Sequence, residues 1–207
     1  MTELDSQVVV NRYMQALASL ERPKATVFTY SVSQAGFHNL EETHRIFRSG
    51  TKQRDETLVV NGDPLKSVRM INGRIDRYAV ERIAPRLGSY AFLFLGTLRD
   101  GKHLDYVYST APLGAPGFVV KEVTIDGLTY LPSLVRFSMR TGKSTATGAI
   151  AYAKFAKYWM PTLATVGATI NKRSTRERIA FSGYAFPGSL AASTFSLPKK
   201  LASPTPP

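Results

Sequence analysis

The sequence predicts a mainly β (α+β) fold. We expect a single curved antiparallel sheet, or unclosed β-barrel, of about ten strands, with an N-terminal amphipathic helix plugging its concave side. Three observations lead to this prediction. The chain opens with one run of helical periodicity, continues with short segments that alternate apolar and polar residues, and separates them by turns that contain glycine.

The helix is predicted over residues 6–20, because apolar side chains recur there at three- and four-residue spacing. These side chains are Val9, Tyr13, Leu17 and Leu20, with Val10 and Met14 widening the stripe. Asp5 or Ser6 is a suitable N-cap, and Pro23 ends the segment. An amphipathic helix of this kind requires an apolar surface on which to lie.

The strand signal begins after the helix. The first strand, residues 26–33, places Phe28, Tyr30 and Val32 on one face and hydroxyl side chains on the other. Further strands are predicted at residues 42–48, 53–60, 65–71, 104–109, 118–125, 133–140, 146–155, 158–170 and 178–185. Residues 77–87 indicate a short helix or a turn. Residues 90–98 are apolar on both faces and predict a strand or helix buried on both sides.

Length and composition favour one domain. The chain has 207 residues, of which 43% are apolar and 20% are charged, so it can bury a core. We predict a single domain over residues 1–200 and a disordered tail over residues 201–207, which lack hydrophobic periodicity. The N-terminal residues contain no long apolar run, so we expect either a cytoplasmic protein or one whose signal peptide has been removed.

The charge and the missing cysteines narrow the classes of function. Without cysteine the chain has no disulfide, thiolate metal site, cysteine nucleophile or acylated N-terminal cysteine. The 27 Lys and Arg residues against 15 Asp and Glu give a formal charge of +12, which suits solubility, an anionic membrane surface or nucleic acid. Apart from a short cluster at residues 172–178 the basic residues are scattered along strands, so nucleic acid is the least favoured partner.

We find no catalytic, cofactor or metal motif in the sequence. The three histidines, His38, His44 and His103, do not have the spacing of a metal site. Residues 41–44, Glu-Glu-Thr-His, begin a strand in which successive side chains point to opposite faces, so we interpret them as a solvated edge. The sequence therefore predicts neither an enzyme nor a bound cofactor or metal.

Aromatic residues provide the main functional signal, with eleven Phe, ten Tyr and one Trp in the chain. We expect several of them to line a ligand-binding cavity on the concave side: Phe28, Tyr30, Phe47, Phe92, Phe94, Tyr106, Phe137 and Trp159. An ordinary core accounts for any one of these rings. A sheet covered by only one or two helices, however, leaves part of its concavity unfilled.

Several segments resemble the periplasmic lipoprotein-carrier proteins of the LolA/LolB-like superfamily. The opening helix followed by TVFTYSVS, ETHRIFRSG and QRDETLVVNGD is similar to the start of these carriers. VTIDGLTYLPSLVRFSM, at residues 123–139, is similar to their late hairpin. GAIAYAKFAKYWMP and RIAFSGYAFPGSLAASTF resemble outer-membrane lipoprotein-sorting-like relatives. The resemblance implies an unclosed barrel around a cavity for acyl chains, and a strand arginine that holds a closed lid, with Arg45, Arg48 and Arg54 as candidates.

The leading hypothesis is a non-enzymatic protein of the periplasm or cell envelope that binds lipid acyl chains or a lipidated protein, as a carrier does. Lys and Arg at the rim would meet lipid phosphates and allow peripheral contact with an anionic membrane. The alternative is an envelope sensor or protein-interaction module with a filled core. Nucleic-acid binding comes third, and a cytoplasmic location stays open.

Overall fold

A computed structural model of the chain describes residues 5–36, 39–72, 77–170 and 172–196. Its helical elements are α1 (Ser6–Ala18), α2 (Val80–Ile83) and a short 3₁₀ helix (Ala192–Phe195). The strands are β1 (Ala25–Gly36), β2 (Leu40–Ser49), β3 (Lys52–Val60), β4 (Asp63–Asn72), β5 (Tyr90–Asp100), β6 (His103–Pro112), β7 (Phe118–Asp126), β8 (Pro132–Thr141), β9 (Ser144–Phe155), β10 (Tyr158–Ile170) and β11 (Arg173–Ala185). His38 and the predicted tail, residues 201–207, lie outside the described residues. Among the helices described, none has the length and apolar character needed to span a membrane.

The eleven strands of the described residues form one antiparallel sheet in the order β4-β3-β2-β1-β11-β10-β9-β8-β7-β6-β5. The chain enters the sheet in its middle at β1 and runs outward to the edge strand β4. The connection that carries α2 leads to the opposite edge strand β5, and hairpins then return the chain until β11 pairs with β1. Within the described residues the two edge strands do not pair, so the predicted curved, unclosed antiparallel sheet is confirmed.

Helix α1 is stabilised at its N-terminus and along one face. Asp5 Oδ1 accepts a hydrogen bond from a first-turn backbone N–H at 2.8 Å, which caps the helix. The buried face consists of Val9, Val10, Tyr13 and Leu17. The Tyr13 hydroxyl donates to the Pro85 carbonyl at 2.9 Å and ties the helix to the segment that follows α2. The predicted N-terminal helix is therefore confirmed.

The core lies between α1 and the inner face of one half of the sheet. Its buried strand residues come mainly from β6 to β9 and include Leu104, Tyr106, Tyr108, Val120, Val123, Ile125, Val135, Phe137, Ile150 and Tyr152. Helix α1 has 13 residues and is therefore about 20 Å long. Eleven strands extend over about 48 Å, so one such helix covers only part of the concave side.

Strand β5 contradicts the prediction that residues 90–98 are buried on both sides. It is an edge strand, and its burial alternates, with Phe92 and Phe94 packed toward the core. Leu93, Leu95 and Leu98 are instead 67%, 55% and 58% exposed. The physical reason is that nothing among the described residues covers the outer face of this edge, so only one face of the strand is buried.

Candidate functional site

A cavity of about 370 Å³ opens on the inner face of the sheet, beside the core that α1 fills. Its apolar wall comes mainly from β1, β2, β10 and β11, and includes Phe28, Tyr30, Ile46, Trp159, Ile179 and Phe181. Tyr78 and Ala79, just before α2, close one side. The volume falls within the range of about 300–1,000 Å³ that is typical of small-molecule sites.

Aromatic rings from β1 and β11 pack on each other and hold this wall in place. Phe28 stacks on Tyr184 with centroids 5.3 Å apart and lies 6.2 Å from Phe181. Tyr30 is also 6.2 Å from Phe181, and Tyr78 meets the same ring edge-on at 5.7 Å. Each such pair contributes about 0.5–1.5 kcal/mol beyond its buried area. The apolar wall is therefore held together by contacts among its own side chains.

Tyr184 lines the cavity although strict alternation assigns it to the outer face. Ile179 and Phe181 point inward, so the residue at position 184 would be expected to point outward. Gly183 has a φ of 62°, and the pairing between β1 and β11 shifts register at the same point. This bulge reverses the alternation and turns Tyr184 inward. Gly183 is the sequence signal for this bulge, but the signal can be interpreted only when the partner strand β1 is known.

Three of the eight aromatic residues predicted to line the cavity do so. They are Phe28, Tyr30 and Trp159, and Trp159 is oriented by its Nε1, which donates to the Pro132 carbonyl at 2.8 Å. Four others, Phe92, Phe94, Tyr106 and Phe137, pack in or against the core beneath α1. The reason is the position of the helix, which fills the concavity over β5 to β9, where these four residues lie.

Phe47 lies on the outer face. Ile46 and Arg48, on either side of it in β2, both line the cavity, so the side chain between them points away from it. The sequence does not show which of Ile46 and Phe47 faces inward, because the two are adjacent and both are apolar.

The three candidate arginines are divided between the two faces. Arg45 is exposed on the outer face. Arg54 also lies on that face, where it donates to the carbonyls of Thr194 and Ser196 at 3.1 and 3.3 Å and so holds the C-terminal 3₁₀ helix against β3. Its Nε donates to Glu56 at 2.7 Å. Arg54 therefore anchors a part of the chain that covers the outside of the sheet.

Arg48 is the candidate arginine that lies in the cavity wall. Its guanidinium carbon is 4.9 Å from the centre of the Phe28 ring, and its Nε donates to Gln53 Oε1 at 2.6 Å. A cation over an aromatic face gains about 0.5–2 kcal/mol, depending on how well water is excluded. The guanidinium therefore lies against the aromatic wall of the cavity.

A buried charge cluster lies near the middle of β2 and β3. Nδ1 of His44 is 2.8 Å from Asp55 Oδ1, and Nε2 of the same ring is 3.2 Å from Glu42 Oε2. Asp55 is 4% exposed, and its second oxygen accepts from Arg69 at 3.1 Å. The Tyr30 ring stacks on the imidazole with centroids 4.6 Å apart and an angle of 4°. Glu42, Asp55, Arg69 and Tyr30 all contribute to the cavity lining.

Residues 41–44 are therefore not the solvated edge that the sequence indicates. Glu42 and His44 are two residues apart and share the inner face, where Asp55 of β3 meets them. Because both ring nitrogens face carboxylates, the imidazole donates on both sides only when it is protonated. Burial opposes the charged ring, but the hydrogen bonds with Asp55 and Glu42 outweigh it and raise the pKa of His44. Burial likewise opposes the charge of Asp55, while His44 and Arg69 lower the pKa of that carboxyl.

This cluster predicts a stability that depends on pH. The raised pKa of His44 contributes stability that is fully present below about 6.5, the pKa of unfolded histidine, and is lost as pH rises through the folded value. The lowered pKa of Asp55 contributes stability at neutral pH, and this contribution is lost as pH falls through the folded pKa of that carboxyl. Urea unfolding from about pH 5 to about pH 9 should show the parent protein losing stability relative to His44→Gln as pH increases. Parallel curves for the two proteins would show that folding does not raise the pKa of His44.

Comparison with known proteins supports the fold. No family model and no curated protein matches this chain in sequence. Among solved structures, a putative outer-membrane lipoprotein-sorting protein domain from Vibrio parahaemolyticus aligns with a TM-score of 0.50 and 17% identity, over 92% of this chain and 97% of that one. A LolA superfamily protein from Nitrosomonas europaea aligns with a TM-score of 0.49 and 10% identity, over 94% and 99%.

These alignments extend over nearly the whole of each chain, whereas the identities are low. At 17% identity such an alignment bears on the arrangement of the backbone and not on the ligand. The chain has a LolA-like fold, as its sequence resemblance predicts.

Proposed function

We propose that this protein binds the acyl chain of a lipid, or of a lipidated protein, in the cavity and leaves it chemically unchanged. The observation that carries the proposal is the apolar wall, where aromatic and aliphatic side chains face about 370 Å³ of open space. The solved structure that shares the fold is described as a putative outer-membrane lipoprotein-sorting protein domain, which makes the acyl chain of a lipoprotein the first ligand to test. A bacterial cell envelope is the location that we propose on this basis.

Removal of methylene groups from water drives binding in this proposal. Each buried methylene contributes about 0.8 kcal/mol, so an acyl segment of about six carbons contributes about 5 kcal/mol before the cost of immobilising the ligand. The rings of Phe28, Phe181 and Tyr184 are already packed on each other. These ring contacts restrict the side chains that form the wall, which lowers the entropy lost when a ligand packs against them.

Charged side chains at the margin of the cavity suit the polar end of such a ligand. Arg22 is 64% exposed and pairs with Glu81 at 2.8 Å, and Arg69 is 70% exposed while it holds Asp55. An exposed guanidinium has donors left over for a phosphate oxygen. We therefore expect the acyl chain inside and a phosphate-bearing head group at the rim. The same arginines provide peripheral contact with an anionic membrane.

We propose Arg48 for the role that the family resemblance gives to a strand arginine near the cavity. Arg45 and Arg54 point to the outer face, whereas Arg48 contacts the ring of Phe28 within the wall. A ligand that occupies the space beside Phe28 must share that ring with the guanidinium. The contact between the Arg48 guanidinium and the Phe28 ring would therefore change when an acyl chain enters.

Filling the cavity with a side chain should abolish ligand binding. Val32 lies in β1 between Glu42 and Ile179 and faces the cavity, so Val32→Trp places an indole in the space that the acyl chain requires. Ser33 is the next residue and is exposed on the outer face, so Ser33→Trp is a matched control. We expect the parent and Ser33→Trp to bind a fluorescent fatty acid, and Val32→Trp to bind it at least about tenfold more weakly.

The readouts for this experiment are fluorescence displacement and native mass spectrometry with lipid extraction, on variants with the circular dichroism spectrum of the parent. Lipid that co-purifies with the parent and Ser33→Trp but not with Val32→Trp supports the proposal. If the parent carries no lipid and does not bind the fluorescent fatty acid, the acyl-chain proposal is wrong.

A protein-interaction or sensor module is the second candidate function, and edge strand β5 favours it. Its exposed Leu93, Leu95 and Leu98 lie beside a row of backbone groups with no neighbouring strand among the described residues. Edge strands of this kind are used to pair with an added strand. Absence of lipid binding would favour this candidate. Salt-dependent retention on DNA would instead favour the third, nucleic-acid binding.

A further inference from the structure

A second group of polar side chains lies on the outer face of the sheet, opposite the core and the cavity. Leu104 and Tyr106 of β6 are buried, so His103 and Asp105, which alternate with them, project outward. Asp126, the last residue of β7, pairs directly with Asp105 across the ladder. Strand register therefore brings together three side chains that the sequence separates into two segments.

The carboxylates of Asp105 and Asp126 repel each other, and a cation between them would relieve this repulsion. Like charges directly opposite each other on one face of an antiparallel pair are destabilising. Nε2 of His103 lies 2.9 Å from Asp105 Oδ1 and 3.3 Å from Asp126 Oδ2. Asp105 Oδ1 is buried, and no well-aligned hydrogen bond to it forms among the described residues. Burial and the charge of Asp126 raise the pKa of Asp105, while His103 opposes them.

The three candidate ligand atoms all lie within 4.8 Å of one another, and the two separations from Nε2 suit ligands of one metal ion. Two ligands about 2.1 Å from an ion lie about 3.0 Å apart at a right angle and about 3.4 Å apart at a tetrahedral angle. The observed separations of 2.9 and 3.3 Å fall at these values.

The orientation of Asp126 is fixed by the turn that follows β7. Its Oδ1 accepts the backbone N–H groups of Leu128 at 3.0 Å and Thr129 at 2.6 Å, and also the Thr129 hydroxyl at 2.8 Å. Its Oδ2 is thereby directed toward His103. On the other carboxylate, Asp105 Oδ2 accepts from Ser133 Oγ at 3.5 Å. Such outer contacts orient metal ligands before the ion arrives.

We propose that His103, Asp105 and Asp126 form a binding site for a divalent first-row transition metal ion such as Zn²⁺, with water completing the coordination. A neutral imidazole and two carboxylates carry a charge of −2, which one divalent ion balances. The nitrogen ligand favours these metals over Mg²⁺ and Ca²⁺, which prefer oxygen. His103 is 39% exposed, so the ion has access from solvent. The site is independent of the acyl-chain cavity.

The test is a titration of the full-length protein, free of any histidine tag, with Zn²⁺ by calorimetry and with Co²⁺ by visible absorption. We expect one equivalent to bind, and both His103→Gln and Asp126→Asn to weaken binding at least about tenfold. Asp126→Asn keeps an oxygen for the turn hydrogen bonds and removes the charge. Asp63→Asn, an exposed carboxylate on β4, is the matched control and should bind as the parent does.

A readout that does not depend on stability is the imidazole NMR signal of His103, which should shift or broaden with one equivalent of Zn²⁺ while that of His44 stays in place. Failure of the parent to bind Zn²⁺ saturably below about 1 mM would overturn the proposal. So would a folded His103→Gln variant with the affinity of the parent, or binding of Ca²⁺ as tight as that of Zn²⁺.

Discussion

Gly148→Ala should destabilise the protein by about 3 kcal/mol or more, because the strand position has no room for a Cβ atom. An added Cβ would lie 2.3 Å from the backbone oxygen of Thr165 and 2.6 Å from Cζ of Phe137. The Thr165 oxygen belongs to the ladder between β9 and β10 and does not move without breaking it. Phe137 is buried and stacked on Phe118 at 5.0 Å, so its ring has no free space either.

Gly167→Ala provides the control on the adjoining strand. Gly167 lies in β10 opposite Thr147, and an added Cβ would meet nothing closer than 4.0 Å. Alanine there should be neutral or stabilise by about 0.4–1 kcal/mol, since it reduces the freedom of the unfolded chain. The free energy of unfolding in urea measures both variants. Equal effects at the two glycines would show that Phe137 and β10 do not pack as described.

Tyr13→Ala should cost about 3–5 kcal/mol, because this ring is the centre of the contact between α1 and the sheet. Tyr13 is fully buried, meets Phe92 edge-on at 5.9 Å and donates its hydroxyl to Pro85. Tyr13→Phe removes the hydroxyl alone and should cost about 1–2 kcal/mol, since it leaves the buried Pro85 carbonyl without that donor. Urea unfolding measures both losses.

Tyr152 is a second buried tyrosine, and its substitution by phenylalanine is the control for Tyr13→Phe. The Tyr152 hydroxyl is buried without a hydrogen-bond partner among the described residues. Tyr152→Phe should therefore leave stability unchanged or increase it, because it removes an unsatisfied polar group. If Tyr13→Phe and Tyr152→Phe had the same effect, the hydrogen bond between α1 and Pro85 would not be a stabilising contact.

The fold is readable from the sequence because its signals are local. A two-residue alternation such as Phe28, Tyr30 and Val32 predicts β1, and the spacing from Val9 to Leu17 predicts α1, without knowledge of any partner. The same local signals did not identify β5 as an edge strand. An exposed Leu93 and a buried Phe92 are both apolar, so the sequence does not show which face lacks a cover.

The candidate site is less readable because it depends on where α1 lies. Tyr106 and Tyr30 both alternate inward on strands, yet one is under the helix and the other lines the cavity. The partners of His44 were missed for a related reason. Asp55 is eleven positions away and becomes a neighbour only through the register of β2 and β3. The grouping of His103 with Asp126 depends on register in the same way.

The central claim is that an acyl chain binds in the part of the concave side that α1 leaves open. Paramagnetic relaxation in NMR tests this claim most directly. A fatty acid carrying a nitroxide on its chain broadens the NMR signals of methyl groups near it. We expect broadening at Val32, Ile46 and Ile179, which line the cavity, and sharp signals from Ile125 and Ile150, which lie beneath α1. Broadening confined to the exposed leucines of β5, or equal at all methyl groups, would contradict the account.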